Sequence, residues 1–195
     1  MIAGNACLDF VNTLDDRYIK PNELLTSYVD LVRFTEDTGL LEEREVDRLY
    51  ERSYLAPERA QEVLLWGREL REAIHDVFFA ILHKRPVPAG ALIRVNDAAQ
   101  AAASHMRLVP AKAGFEWRFD DLRELDSVLW PIARSAAELL ASDQLKYIRA
   151  CSSKTCEWLF LDTSKNHKRR WCDMTRCGNR AKVRRFYARK KKASC

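Results

Sequence analysis

No stretch of this 195-residue sequence approaches the roughly 20 consecutive apolar residues that a membrane-spanning helix needs, so no membrane partner is expected. The opening segment, Met1 to Asp16, has no basic start and no sustained apolar run before Asp9. It does not read as a signal peptide, and a cytoplasmic location is expected. Internal repeats and low-complexity linkers are missing as well. So are a phosphate-binding P-loop, a GxGxxG turn, an HExxH pair and a GxSxG elbow, and no catalytic function is expected. His75 and His83 share one helical stretch without companion ligands and read as ordinary helix residues.

What is present is charge of both signs, unevenly placed. Residues 1–145 hold 17 Lys and Arg against 25 Asp and Glu, a net of −8. Residues 146–195 hold 16 against 3, a net of +13. Folding does not require such a split, whereas a polyanionic partner for the last quarter would explain it. The change of sign also places the expected domain boundary, with an acidic domain at 1–145 and a basic module at 146–195.

The acidic part reads as mostly helical. Leu24, Leu25, Tyr28, Leu31, Val32 and Phe34 follow helical spacing up to Gly39, and a second stretch runs from about Glu42 to Tyr54. The strongest helix starts near Pro57 and places Val63, Trp66, Leu70, Ile74, Val77, Phe78 and Ile81 on one core-facing stripe. An alanine-rich helix covers about Ala89 to His105. Phe115, Trp117 and Phe119 then alternate with charged residues, which predicts a hairpin over about 107–119. A last helix, about 121–141, contains Pro131, which either kinks it or starts a second segment. In the stretch Leu8-Asp-Phe-Val-Asn-Thr13, Asp9 and Asn12 line a pocket or cap the following turn; capping is the expectation. The fold class is α+β and predominantly helical: a helical N-terminal domain with a small antiparallel β-hairpin, then a small C-terminal zinc module ending in a basic helix.

Of six cysteines, Cys7 stands alone and Cys195 is the last residue. Cys151, Cys156, Cys172 and Cys177 fall within 27 residues as C-x4-C-x15-C-x4-C. Two matched pairs in a chain with no secretion signal point to one structural Zn²⁺ rather than disulfides. Four thiolates close a tetrahedral shell and leave no place for a catalytic water. His167 as a substitute ligand, or four merely buried cysteines, are the alternatives. Trp158 and Phe160 read as a short strand covering the metal, with Trp171 packed nearby. The segment Trp171-Cys-Asp-Met-Thr-Arg-Cys-Gly-Asn-Arg180, with the tetrapeptide Cys177–Arg180, resembles the CGNR zinc-finger family. Cys151-x4-Cys156-x3-Phe160-x-Asp162-x-Ser164 resembles the other half of that pattern. Leu8–Thr13 and the helices after it are similar to the ABATE domain that precedes this finger. The resemblance implies a bacterial stress-related transcription regulator.

After Cys177, Gly178 is placed to turn at the metal and Asn179 to cap a helix over Arg180–Lys191. Val183, Phe186 and Tyr187 form an apolar stripe expected to dock on the zinc core, with Lys190 inside that stripe. Arg180, Lys182, Arg184, Arg185, Arg189 and Lys191 spread over the opposite arc around Ala181 and Ala188. Arg169 and Arg170, beside Lys165 and Lys168, offer a second contact from the loop between the cysteine pairs. An ordered metal scaffold with a basic amphipathic helix favours nucleic acid, double-stranded DNA first. Structured RNA or a ribosome is the second reading, and an enzyme recruited by the finger the third. A homodimer and a small-molecule effector on residues 1–145 are further expectations. A solvated tail pairing with the acidic domain is the bland alternative.

Overall fold

A computed structural model describes residues 1–120, 122–153 and 155–193, without the side chains of 188, 189 and 191–193. Arg189 and Lys191, two of the expected contacts, therefore have side chains outside the described residues, as does the whole of Cys195.

Among the described residues, seven α-helices carry the fold: α1 (Ala6–Val11), α2 (Tyr28–Asp37), α3 (Glu43–Leu55), α4 (Pro57–Leu82), α5 (Ala89–Ser104), α6 (Trp130–Leu140) and α7 (Asn179–Ala193). Three two-stranded antiparallel sheets punctuate them. These are β1 (Leu14–Asp15) with β2 (Asn22–Glu23), β3 (Met106–Ala111) with β4 (Gly114–Phe119), and β5 (Ile148–Ala150) with β6 (Leu159–Leu161). The fold class read from the sequence is thus the one observed.

Local signals explain most boundaries. Ser27 and Asp30 form a reciprocal capping box at the start of α2, and Gly39 beyond its end takes φ +67°. Pro57 occupies the first turn of α4, where its missing N–H costs nothing. Val63, Leu70, Ile74, Val77 and Phe78 of α4 are buried, but Trp66 is 44% exposed under the guanidinium of Arg59. Pro131 resolves its two options by starting a segment: a 3₁₀ turn over Leu125–Leu129 gives way to α6 at Trp130.

One apolar cluster runs from Ala3, Leu8 and Phe10 of the N-terminal segment through α2, α4 and α6 to Leu159, Phe160 and Cys172. The basic segment therefore shares its core with the helices. Beneath α4 lies an ionic network: Arg71, 3% exposed, donates to both carboxylate oxygens of Glu23 at 2.6 and 2.7 Å and to Glu72 at 2.9 Å. Arg17, to which the sequence assigns nothing, pairs with Glu72 and donates to the Val11 carbonyl. Burial alone would raise the Glu23 carboxyl, but the Arg71 hydrogen bonds outweigh it and hold Glu23 below the ordinary carboxylate range.

Candidate metal centre and nucleic-acid interface

Cys151 follows β5, Cys156 lies on the turn leading to β6, Cys172 ends the intervening loop and Cys177 sits in a single π turn, Met174–Gly178. The four Sγ atoms lie within 4.8 Å of one another, and all four residues are buried. Cys156 Sγ is 3.5 Å from Cys172 Sγ, which is 3.7 Å from Cys177 Sγ. Sulfurs held about 2.3 Å from a tetrahedral Zn²⁺ lie about 3.8 Å apart, so the spacing matches that ion. Charge supports the same conclusion. Hydrogen bonds from Cys156 and Cys172 pull the Cys151 thiol down. Hydrogen bonding to Cys151 then pushes Cys156 up, and Cys172 further. Like charges packed this closely repel, so a cation among the four sulfurs favours their thiolate forms. The four cysteines form the site of one structural zinc ion.

The surrounding loop hangs on Asp162, which is fully buried. Its carboxylate accepts from Ser164 N and Oγ and from Arg169 N, and these bonds overcome the burial penalty and keep it ionised below its usual range. Its carbonyl meets His167 Nδ1 at 2.7 Å, and the His167 ring stacks on Tyr147. His167 is thus held at the Asp162 carbonyl and is outside the cysteine cluster.

Asp9 and Asn12 do something the sequence does not suggest. Neither side chain caps the turn ahead, and the crevice of about 10 Å³ that Asn12 borders is too small for a ligand. Asp9 Oδ1 accepts from the backbone N–H of Ile2 and Ala3, and the Ala3 carbonyl then accepts from Leu161 N at 2.7 Å. Asn12 Nδ2 donates to the Leu159 carbonyl at 2.9 Å while Asn12 Oδ1 accepts from Leu159 N at 3.0 Å. The side-chain amide acts as one peptide unit of an extra strand on the free edge of β6. Trp158 Nε1 adds a third tie, to Asp15 at 2.8 Å. The motif Leu8–Thr13 is therefore the dock for the zinc module.

Three expectations about α7 change. Gly178 needs no special turn conformation; it is buried against Met174, whose Sδ would lie 2.9 Å from an added Cβ. Asn179 is already helical, and the capping role falls to Asp173, which accepts from the N–H groups of Thr175 and Arg176. The helical path begins earlier because Cys177 must lie on it to reach the metal. The apolar stripe does not dock on the zinc core: Val183, Phe186 and Tyr187 are 53%, 63% and 64% exposed. α7 packs mainly on the π turn that precedes it.

The cationic residues sort into two groups. Arg169 donates to the carbonyls of Trp171 and Cys172 and lies over the Phe160 ring, so its guanidinium is engaged inside the module. Arg180 donates to Cys177 Sγ at 3.4 Å, and that bond raises its pKa further. Arg170, Arg184 and Arg185, by contrast, line one surface groove of about 390 Å³ together with Ser152, Ser153, Trp171 and Ala181. Lys182 is exposed on the same helix.

A closed four-cysteine module presenting a basic helix defines a zinc-finger protein. Residues 147–190 match the CGNR zinc finger. Residues 4–143 match ABATE, described as "Putative stress-induced transcription regulator", and the chain belongs to that family. Both matches point to a non-enzyme. No curated protein matches the chain. Among the described residues, no helix is long and apolar enough to cross a membrane.

Proposed function

We propose that the protein is a zinc-dependent DNA-binding transcription regulator, in which residues 146–195 contact the phosphate backbone and residues 1–145 act as the sensing or dimerisation unit. The observation that carries this reading is the convergence of Arg170, Arg184 and Arg185 on one groove beside α7. The loop between the cysteine pairs and the first turns of α7 thus place three arginines along one groove. Planar, multiply donating guanidinium groups suit phosphate oxygens. Ala181 is among the lining residues, and so small a side chain leaves room for a backbone to approach.

Trp171 at the same groove supports RNA as the second reading, since an indole can stack on an unpaired base. Titrating duplex DNA and structured RNA across salt separates the two. For duplex DNA, log affinity should fall with log salt at about −0.9 per phosphate contacted. Arg184→Glu with Arg185→Glu should flatten that slope by about two contacts and weaken all sequences alike. Negligible binding to either polymer at about 50 mM salt sinks both nucleic-acid readings.

An effector on residues 1–145 fits a cavity of about 490 Å³ beneath the hairpin, where Leu40, Trp117, Phe119 and Pro131 offer apolar surface and Arg44 and Arg134 offer charge.

A further inference from the structure

The exposed stripe of α7 leaves a question that the phosphate-binding groove does not answer. On a helix at about 100° per residue, Val183, Phe186 and Tyr187 face away from Ala181 and the arginine groove. Phe186 and Tyr187 pack edge to face on each other with ring centroids 5.6 Å apart, so they form one apolar knob on a strongly basic rod. Apolar side chains grouped this way mark a contact surface more often than a solvated one.

A surface of the opposite character lies on the acidic part. Between α4, α5 and α6 runs an open groove of about 370 Å³, floored by Trp66, Leu70, Leu129 and Trp130. Glu69, Asp97 and Asp126 stand on its rim with Arg94, which Glu69 already engages at 2.7 Å, and Arg59, paired with Glu62, lies over Trp66. Asp97 and Asp126 have no ion-pair partner among the described residues. The groove is therefore apolar below and negative above, whereas the knob on α7 is apolar and flanked by positive charge.

We propose that this groove receives helix α7 of a second copy of the chain, with Phe186 and Tyr187 against its floor and the flanking lysines and arginines against Asp97 and Asp126. The charge division, −8 over residues 1–145 and +13 over the rest, makes contact between unlike halves of two copies the attractive arrangement. Exchange of α7 in both directions gives a closed two-fold pair. The arginine groove lies on the other side of α7, so docking leaves it open. If the DNA-binding reading is right, the pair presents two such grooves to one duplex.

The test uses the full-length zinc-loaded protein without nucleic acid, followed by analytical ultracentrifugation. A dimer should form over about 1–100 μM protein and weaken at least about tenfold between about 0.05 and 0.5 M salt. Asp97→Lys with Asp126→Lys removes the rim, and Phe186→Ser with Tyr187→Ser removes the knob. Asp97, Phe186 and Tyr187 are exposed and Asp126 is half-buried, and unchanged far-UV circular dichroism and melting verify that each variant is folded. Each pair should lose the dimer about tenfold or more. Mixing the two variants should restore association above either alone, because one retains a groove and the other a knob. A wild type that stays monomeric, a rim variant that dimerises normally, or a mixture no more associated than its parts overturns the proposal. The knob variant keeps Arg184 and Arg185, so its nucleic-acid binding is measured separately, and either reading can fail without the other.

Discussion

Asn12→Ala should loosen the zinc module from the helical core, although Asn12 is 147 residues away in sequence from the backbone it holds. Asn12 is 5% exposed and Leu159 2%, so water cannot replace the lost amide without opening the contact. The substitution orphans the Leu159 carbonyl and the Leu159 N–H together. Each buried unpaired group costs about 1–3 kcal/mol, giving a loss of about 2–6 kcal/mol. With a urea dependence near 2 kcal/mol per M, the unfolding midpoint should fall by about 1–3 M. Trp158 and Trp171 report on the module by fluorescence, and far-UV circular dichroism reports on the helices. Asn12→Leu is the discriminating control. It keeps the volume but not the hydrogen bonds, so it should lose about as much as alanine. Near-wild-type stability of the leucine variant, or a midpoint shift under about 0.3 M for alanine, would refute the pairing argument.

Glu23→Ala should cost about 1.5–3 kcal/mol in chemical denaturation, because it removes both Glu23 hydrogen bonds to the buried Arg71 and leaves Glu72 as its remaining carboxylate. Burial works against the Glu23 carboxylate but the Arg71 bonds prevail, so its folded pKa is lowered. Its contribution is then complete above the ordinary carboxylate range and lost as pH falls through the lowered value; Glu23→Gln should flatten that acid limb, and an unchanged limb would contradict the assignment. Cys172→Ser or a strong chelator should remove on the order of 10 kcal/mol of metal-linked stability and disorder residues 146–193, read by zinc release and proteolysis. Because β6 lies in the common core, the helical domain should also melt earlier while keeping most of its helicity; an unaffected melting temperature would contradict the shared core.

The sequence was informative where one local rule decided the outcome. Alternation of Phe115, Trp117 and Phe119 with charged neighbours is a period-two signal, and the hairpin pairs Leu108 with Trp117 as such a signal requires. Matched cysteine spacing likewise led to the cluster, since chelation leaves few other arrangements of four thiols. Long-range partners were illegible. Asn12 binds Leu159 across almost the whole chain, and an asparagine after an apolar run fits a local cap equally well. Arg169 and Arg170 are adjacent and chemically identical, yet one is spent on the Trp171 and Cys172 carbonyls and the other faces the groove. Only the loop path fixed by Asp162 separates them. The α7 stripe shows the limit of periodicity: it identifies an apolar face but not whether anything in the same chain covers it.

How a helix so rich in like charge persists on so small a base follows from where the metal sits. α7 spans 15 residues, about 22 Å at 1.5 Å per residue, and is held mainly at its first turn. Four thiolates around one Zn²⁺ leave about two net negative charges, and Cys177 places them at the N-terminal end of the helical path. There the helix dipole is positive, so that charge is favourable, and Arg180 beside Cys177 Sγ adds a direct counter-ion. Asp173 supplies a further negative group to the same end by capping the π turn. The run Arg189 to Lys192 falls at the opposite end, where the dipole favours cations. Self-repulsion along the arginine face remains, and dissolved salt, a bound anion or an acidic surface relieves it. The zinc site thus starts and orients the helix, while the helix's own charge is what makes an anionic partner favourable.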